Sequence, residues 1–362
     1  MYNFIYVFTV LVLKISSKYI AIPFQQSFGY FSIPLSFGTP SQRKSYRLDL
    51  SIPYTWTSSY FYEPGDSSTL EAKSISYYTL RDSAIQFFQC IDLLKLELEH
   101  NLTNVPHFLF LYGKVSGLYY ESIGLSYQFN YTNFSFIHSL LKHDLISHLS
   151  FTIIRKNFYD WILYLGGTPN NITENKHKGS CNVNDSYAQW GCSMSSLSVG
   201  NKEYNNDAYV LFNIYDNKLL APASFLQFMK DNFFAQYVKD EVCSERISNN
   251  FSIYRCHRDK IQNFPSITFK FNNNLNIVMH RNQTFDCIYL DCVFVFTLSA
   301  NNTWYLGTSF LTDYVVTFDY EAHSISFFSP FIKTSPLSNL LFLTMSILFI
   351  GTLNNIIVKY KY

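Results

Sequence analysis

A mainly β protein of two similarly built lobes, followed by a C-terminal transmembrane helix, is the fold class that the sequence predicts. Three observations carry it. Short runs of alternating apolar and polar residues succeed one another at regular intervals, separated by turn residues, which is the period of half-buried strands. Aromatic residues make up 19% of the 362, with 35 Phe and 29 Tyr, and such side chains suit a pleated sheet better than a helix. Each half of the chain also carries an apolar run that ends on a polar residue and, later, an apolar-Gly pair, so the two halves repeat one design. A hydrophobic content of 48% over this length suffices for two buried cores.

Residues 1–21, MYNFIYVFTVLVLKISSKYIA, read as a signal peptide. Their apolar stretch from Phe4 to Leu13 is too short to span a bilayer, and small residues follow at Ser16, Ser17 and Ala21, although the usual basic start is missing. The first lobe is expected over 22–165. Its strand runs are Tyr30–Phe37, Tyr46–Leu48, Ala84–Leu98, His107–Leu111 and Trp161–Leu165. The second lobe, 166–335, has runs at Ser266–Phe271, Val293–Leu298, Val315–Phe318 and Ser324–Phe328. Helical spacing is confined to Phe136–Leu145 and to Ala223–Phe234, which opens just after Pro222.

Leu337–Val358 is a second, predominantly apolar segment without a charge, interrupted by Asn354 and Asn355, and ~20 such residues suffice to cross a bilayer. Lys359 and Lys361 follow, which places the tail 359–362 on the cytoplasmic side and the body of the protein outside the cytosol. A glycolipid-anchor signal competes at Thr334-Ser335, but the basic tail and the near absence of a polar spacer argue against it.

The net charge is +1 with acids and bases interspersed, so the electrostatic footprint of a nucleic-acid-binding protein is missing. Of seven cysteines, Cys90 stands alone in the first half, while Cys181, Cys192, Cys243, Cys256, Cys287 and Cys292 form an even set suited to three disulfides in an oxidising compartment. No pair has metal-site spacing with a matching His, so neither metal nor cofactor is expected. Asn-x-Ser/Thr sequons at Asn101, Asn130, Asn133, Asn171, Asn184, Asn250, Asn282 and Asn301 fit the loops of a secreted glycoprotein, although an Asn-rich composition also produces sequons by chance.

Two stretches concentrate the chemistry. In Tyr46–Trp56, YRLDLSIPYTW, an alternating run leads into Asp49; in Val210–Pro222, VLFNIYDNKLLAP, a second run leads into Asn213. Both read as a strand that delivers one polar side chain and then turns. Ile123-Gly124-Leu125 and Leu306-Gly307 are the later apolar-Gly pairs, and each glycine lets one backbone cross close behind another.

These residues resemble the pepsin-like aspartic proteases. Gly38-Thr39-Pro40 and Gln42 precede Asp49 at that family's spacing, and Trp56 follows at its distance. Ser67-Ser68-Thr69 resembles the segment before the family's flap, and Ile75-Ser76-Tyr77 the flap strand, with Tyr77 at the place of the substrate-covering tyrosine. Ser122–Leu125, His148–Gly167, Phe264–Phe269, Trp304–Phe310 and Tyr314–Phe328 continue the family's order, so the resemblance runs from about Tyr30 to Phe328. It implies a bilobal fold with a peptide-binding cleft under a hairpin flap. It also implies two carboxylates, one from each lobe, that share a proton, one acting as base towards water while the other polarises the scissile carbonyl.

The sequence departs from that pattern where the chemistry lies. Asp49 holds the first catalytic position, but Leu50-Ser51-Ile52 replaces Thr-Gly-Ser; Asn213 holds the second, followed by Ile214-Tyr215-Asp216. An amide cannot titrate, so the shared proton is lost, although Asn213 could donate a hydrogen bond to Asp49. Leu50 and Ile214 replace hydroxyls that join the family's lobes, and Ser51 and Tyr215 replace its loop glycines. Asp216, or a carboxylate from another chain, could substitute for the missing acid, but Asp216 lies three residues on, and a misplacement of only ~1 Å costs catalysis about a hundredfold. Tyr78 and Ala84 stand where the flap commonly has glycine.

Ser51, Ser195 and Ser309, with His138, His143 and His148, show no spacing that groups them into a triad, and read as loop or surface residues. The resemblance implies a bridge from Cys256 to Cys287 or Cys292, while Cys181 and Cys192 could close an inserted loop and Cys90 reads as a buried free thiol. The expected function is thus a membrane-anchored, proteolytically inactive homologue in the secretory pathway, binding a peptide or protein in the interlobe cleft. An active endopeptidase with an atypical site and a glycosylated adhesion protein are the alternatives.

Overall fold

The alternating runs become strands whose order repeats. The computed structural model describes residues 18–27, 30–80, 83–98, 102–113, 121–127, 134–157, 160–169, 177–184, 187, 189–215, 219–248, 251–299 and 303–329, all within one compact unit. The first half holds β1 (Ile20–Ser27), β2 (Tyr30–Phe37), β3 (Gln42–Asp49), β4 (Trp56–Ser58) and β5 (Glu71–Leu80). It continues through β6 (Ser83–Glu97), β7 (Leu102–Gly113), β8 (Ser122–Gly124), helix α1 (Phe136–Lys142), β9 (Ser150–Arg155) and β10 (Asp160–Leu165).

The second half opens with β11 (His177–Asn182), β12 (Gly191–Val199), β13 (Lys202–Tyr204), β14 (Ala208–Phe212) and β15 (Leu219–Ala221). Helix α2 (Ala223–Met229) runs through a π turn, Lys230–Phe234, into α3 (Ala235–Lys239). Then come β16 (Cys243–Ser248), β17 (Phe251–His257), β18 (Ile267–Phe271), β19 (Asn276–Met279) and the short helix α4 (Arg281–Thr284). The chain closes with β20 (Phe285–Ile288), β21 (Asp291–Phe294), β22 (Phe296–Leu298), β23 (Trp304–Leu306), β24 (Val315–Asp319) and β25 (Ser324–Phe328).

The strand pairing explains why both halves carry the same signals. In the first, β3 runs parallel to β8, β8 antiparallel to β4, and β4 parallel to β7. In the second, β14 runs parallel to β23, β23 antiparallel to β15, and β15 parallel to β22. Beneath both, β11, β25, β24, β9, β10 and β1 lie side by side in one sheet that takes strands from each end of the chain and continues into the first lobe. Ile20 and Ala21, placed at the end of the leader by the sequence, pair there with Leu165 and Tyr164.

One apolar core runs through both lobes, filled by aromatics such as Phe31, Trp161, Trp190 and Trp304. The carbonyl of Leu125, one residue beyond Gly124, accepts the Trp190 indole N–H at 2.6 Å and the Tyr320 hydroxyl at 3.0 Å, which ties the first lobe's crossing strand to the second half. Removing one partner of such a buried pair leaves a polar group without compensation, at a cost of about 1–3 kcal/mol.

Two expectations need correction. The first is the C-terminal transmembrane helix. Among the described residues no helix is long and apolar enough to cross a membrane, and 337–358 lies outside them, as does 1–17. The longest continuous helical run described, from Ala223 through Lys239, buries Phe225, Met229 and Phe234 but carries Gln227, Lys230, Asp231 and Gln236, so it is a surface helix with one apolar face. The hydropathy of Leu337–Val358 reports how well its side chains suit hydrocarbon and does not by itself establish a helix.

The second correction concerns disulfides. Cys181–Cys192 forms, but Cys256 joins Cys243, and Cys287 joins Cys292. The reason is register: Cys243 stands directly opposite Cys256 across β16 and β17, and Cys287 opposite Cys292 across β20 and β21. Cys256 also stands opposite Cys292, so four half-cystines form one row across this four-stranded sheet. Cys90 is a buried free thiol whose burial, with Asp92 nearby, pushes its pKa up to about 11.

Candidate functional site

Asp49 ends β3, where Leu48 pairs with Ile123 and Asp49 with Gly124. A side chain at residue 124 would collide with the chain leaving the loop, since a Cβ there would meet the Tyr54 N and O at 2.5 Å and the Ile52 O at 2.6 Å. Glycine therefore allows the two backbones to cross. The Leu125 N–H donates to the Asp49 carbonyl at 2.8 Å and the Ser126 N–H to that of Ile52 at 3.1 Å, which braces the loop from behind. Behind it Trp56 donates its indole N–H to Ser122 Oγ at 2.9 Å, and Tyr46 shares a hydrogen bond of 3.0 Å with Thr57.

Within the loop the Asp49 carboxylate, only 1% exposed, turns back on its own chain. Its Oδ1 accepts the Ser51 N–H at 2.8 Å and the Ser51 hydroxyl at 2.5 Å. The second loop has the same form. Asn213 follows β14, donates its backbone N–H to the Leu306 carbonyl at 2.9 Å, and its Oδ1 accepts the Tyr215 N–H at 2.9 Å. Both are Asx turns, in which a side-chain oxygen accepts from the backbone two residues on, and an amide oxygen serves that purpose as well as a carboxylate oxygen.

The residues that follow differ from a polar interlobe clasp. Leu50 and Ile214 are both buried in the shared apolar core, so packing stands where the resemblance implied hydroxyl hydrogen bonds. Tyr215 is buried as well, and the guanidinium of Arg47 lies 5.0 Å from its ring centroid and 3.5 Å from that of Tyr30. Arg47 precedes Asp49 by two residues, so strand alternation puts both on one face of β3. A desolvated cation over an aromatic ring contributes roughly 2 kcal/mol, and this contact joins the strand of one loop to the turn of the other. Glu121 supplies the nearby negative charge. Its carboxylate accepts the Ser58 hydroxyl, burial pushes its pKa upward, and the Ser58 hydrogen bond and the Arg47 charge pull the other way.

Arg47 and Glu121 were not among the residues singled out from the sequence. A signal existed for Arg47, as a cation two residues before Asp49 on the same face of its strand. Asp92 was missed too: it is buried, and it accepts from the Tyr62, Ser67 and Thr69 hydroxyls, so it ties the Ser67-Ser68-Thr69 segment to β6.

Tyr77 lies in β5 opposite Gln86 of β6, in a hairpin whose last pair is Leu80 with Ser83; its side chain, like those of Tyr78 and Ala84, lies outside the described residues, and so does Asp216. Ser51 is the hydroxyl on Asp49, Ser195 donates to the Lys270 carbonyl, and Ser309 offers its own carbonyl to Gln283. His148 faces Glu321 at 3.6 Å, while His138 sits on α1 and His143 caps its C-terminal end. No group of three or more His, Cys, Asp or Glu among the described residues has the geometry to hold a metal ion.

Two crossed-strand loops, each presenting an Asx side chain at the junction of two like-built lobes, define the architecture of an aspartic protease. The model of the eukaryotic aspartyl protease family matches residues 31–329, and the chain belongs to that family. Among solved structures, basic 7S globulin from soybean superposes with a TM-score of 0.71 at 15% identity, over 86% of this chain and 95% of that one. That likeness concerns the fold. No curated protein matches the sequence.

Proposed function

We propose that this member of the aspartyl protease family does not cleave peptides and that it binds a peptide or protein segment between its lobes. The observation that carries the reading is Asn213. Its oxygen makes the same turn contact as that of Asp49, so the loop keeps its shape while one of the two titratable groups is missing. A carboxylate and an amide cannot share a proton, and without that exchange no group both activates water and protonates the carbonyl. Hydrogen bonding to an extended backbone needs no such exchange. Leu50, Ile214 and the Arg47–Tyr215 contact support the same reading, because they hold the lobes together by means that leave no polar clasp behind the two loops.

Three disulfides favour an oxidising compartment, and exposed Asn184 and Asn282 offer sequon asparagines to the glycosylation machinery, so the proposed setting is the secretory pathway. The test is incubation of the purified protein with a diverse peptide library at acid pH. The expected result is retention of a subset of peptides with none cut. Cutting that disappears in Asp49→Ala would overturn the proposal. Glycosidase treatment of the secreted protein should lower its apparent mass, and an unchanged mass would remove the glycoprotein reading.

A further inference from the structure

Helix α1 and the outer strands of the first lobe line an open cleft of about 850 Å³, and neither Asp49 nor Asn213 is among its lining residues. Its titratable lining is His107 on β7, His138 and Lys142 on α1, His143 at the cap of that helix, and a single acid, Glu71 on β5. Ile91, Leu109 and Phe134 supply an apolar wall, and Phe134 also packs on the buried cluster formed by Ile52, Tyr54 and Trp56. The size is that of a cavity for a small organic ligand.

The imidazoles converge for identifiable reasons. On α1, His138 and Lys142 are four residues apart, one helical turn, and His143 is the residue that caps the helix directly after Lys142. His107 arrives through a β-bulge. Asp92 of β6 pairs with Phe108, and Leu94 with Val105, so Pro106 and His107 together oppose Leu93. Pro106 has no N–H to offer the ladder, and His107 takes a left-handed φ of 50°. A bulge of this kind re-aims a side chain, and here it leaves His107 close enough for its charge to act on His143.

We propose that this cavity binds an amphipathic anion, meaning a carboxylate, phosphate or sulfate group carried on an apolar body, and that it does so as the pH falls. The anionic group meets His107, Lys142 and His143, and the body lies on Phe134, Leu109 and Ile91. Burial holds His138 below the ordinary imidazole value. His143 is lowered by burial and by the charges of Lys142 and His107. The empty cavity therefore gains positive charge only on acidification, and an anion that favours the protonated rings raises their pKa in return. Glu71 opposes the ligand, β6 contributes only the neutral Gln89 and Ile91, and Asp144, next to His143, lies outside the lining. The inference is independent of whether the Asp49 loop cleaves anything.

Benzenesulfonate and inorganic sulfate, whose charges do not change over the range, are the probes, titrated calorimetrically at about pH 5 and about pH 7.5. Benzenesulfonate should bind the intact protein at least about tenfold more tightly at the lower pH and more tightly than sulfate. His107→Ala with His143→Ala should remove the pH dependence, Lys142→Ala should weaken binding at both pH values, and Glu71→Gln should strengthen it. A proton NMR titration of the unmodified protein supplies a readout that needs no variant: benzenesulfonate should raise the His143 titration and leave that of exposed His148 unmoved. Absence of binding at the lower pH, equal affinity at both, equal affinity for sulfate and benzenesulfonate, or movement of His148 alone would overturn the proposal.

Discussion

The Asp49 and Asn213 loops share a hydrogen-bond diagram and differ in charge. In each, a strand ends, an Asx oxygen accepts the backbone N–H two residues on, and a crossing strand holds the loop from behind. The difference begins at that second residue. Ser51 is exposed and returns its hydroxyl to the carboxylate, whereas Tyr215 is buried with Arg47 near its ring. The comparison separates two demands on one position. The turn needs an acceptor oxygen, which aspartate and asparagine both have, while proton exchange needs a second group that titrates.

The sharpest way to break the comparison is to disable one loop from behind. Gly124→Val forces a side chain into the backbones of Ile52 and Tyr54, and should cost about 3 kcal/mol or more, read as a fall in Tm, if the protein folds at all. Next comes the turn itself. Asn213→Ala removes the acceptor for the Tyr215 N–H and should cost about 1–2 kcal/mol. Asn213→Asp keeps that acceptor and should therefore cost less than Asn213→Ala in denaturant unfolding. Peptide cleavage should stay absent in Asn213→Asp, because Leu50, Ile214 and Tyr215 still shape the loops.

The contact between the loops is measured by a double-mutant cycle. Arg47→Met and Tyr215→Leu, singly and together, should give a coupling of about 1 kcal/mol, and a coupling near zero would mean that the loops stand independently. The smallest expected effect belongs to Glu121. Its pKa is raised in the folded protein, so the stability tied to its protonated form is fully present below the ordinary carboxyl value of 4.5 and is lost as pH rises through the folded value. Glu121→Gln, which keeps an acceptor for Ser58, should therefore melt higher than the parent at neutral pH, with the difference vanishing below pH 4.5. A difference of the opposite sign would show that the Arg47 charge outweighs the burial of Glu121.

Much of this was legible in the sequence because it is local. Tyr30–Phe37 and Ser324–Phe328 are strands over the very residues whose alternation announced them, since each has one face in the core. The single run Val293–Leu298 is two strands, β21 and β22, because Val295 leaves the ladder to donate to the Thr284 carbonyl while the chain passes from one sheet to another. Asp49 and Asn213 were legible as polar residues at strand ends. The Arg47–Tyr215 contact was not, since nothing local relates a cation in one lobe to a ring in the other. The imidazole cluster escaped for a related reason: His138 and His143 belong to one short helix and its cap, but only a bulge, invisible in hydrophobic periodicity, brings His107 to them.

The row of four half-cystines also bears on the order of assembly. Cys243 with Cys256, and Cys287 with Cys292, close loops of 13 and 5 residues, each within a single hairpin. Cys256 meets Cys292 only when β17 and β21 pair, across a longer stretch of chain whose closure costs more entropy. Each hairpin can thus be oxidised while it is still separate, and by the time the two hairpins dock, the sulfurs that face each other across the seam are already spent.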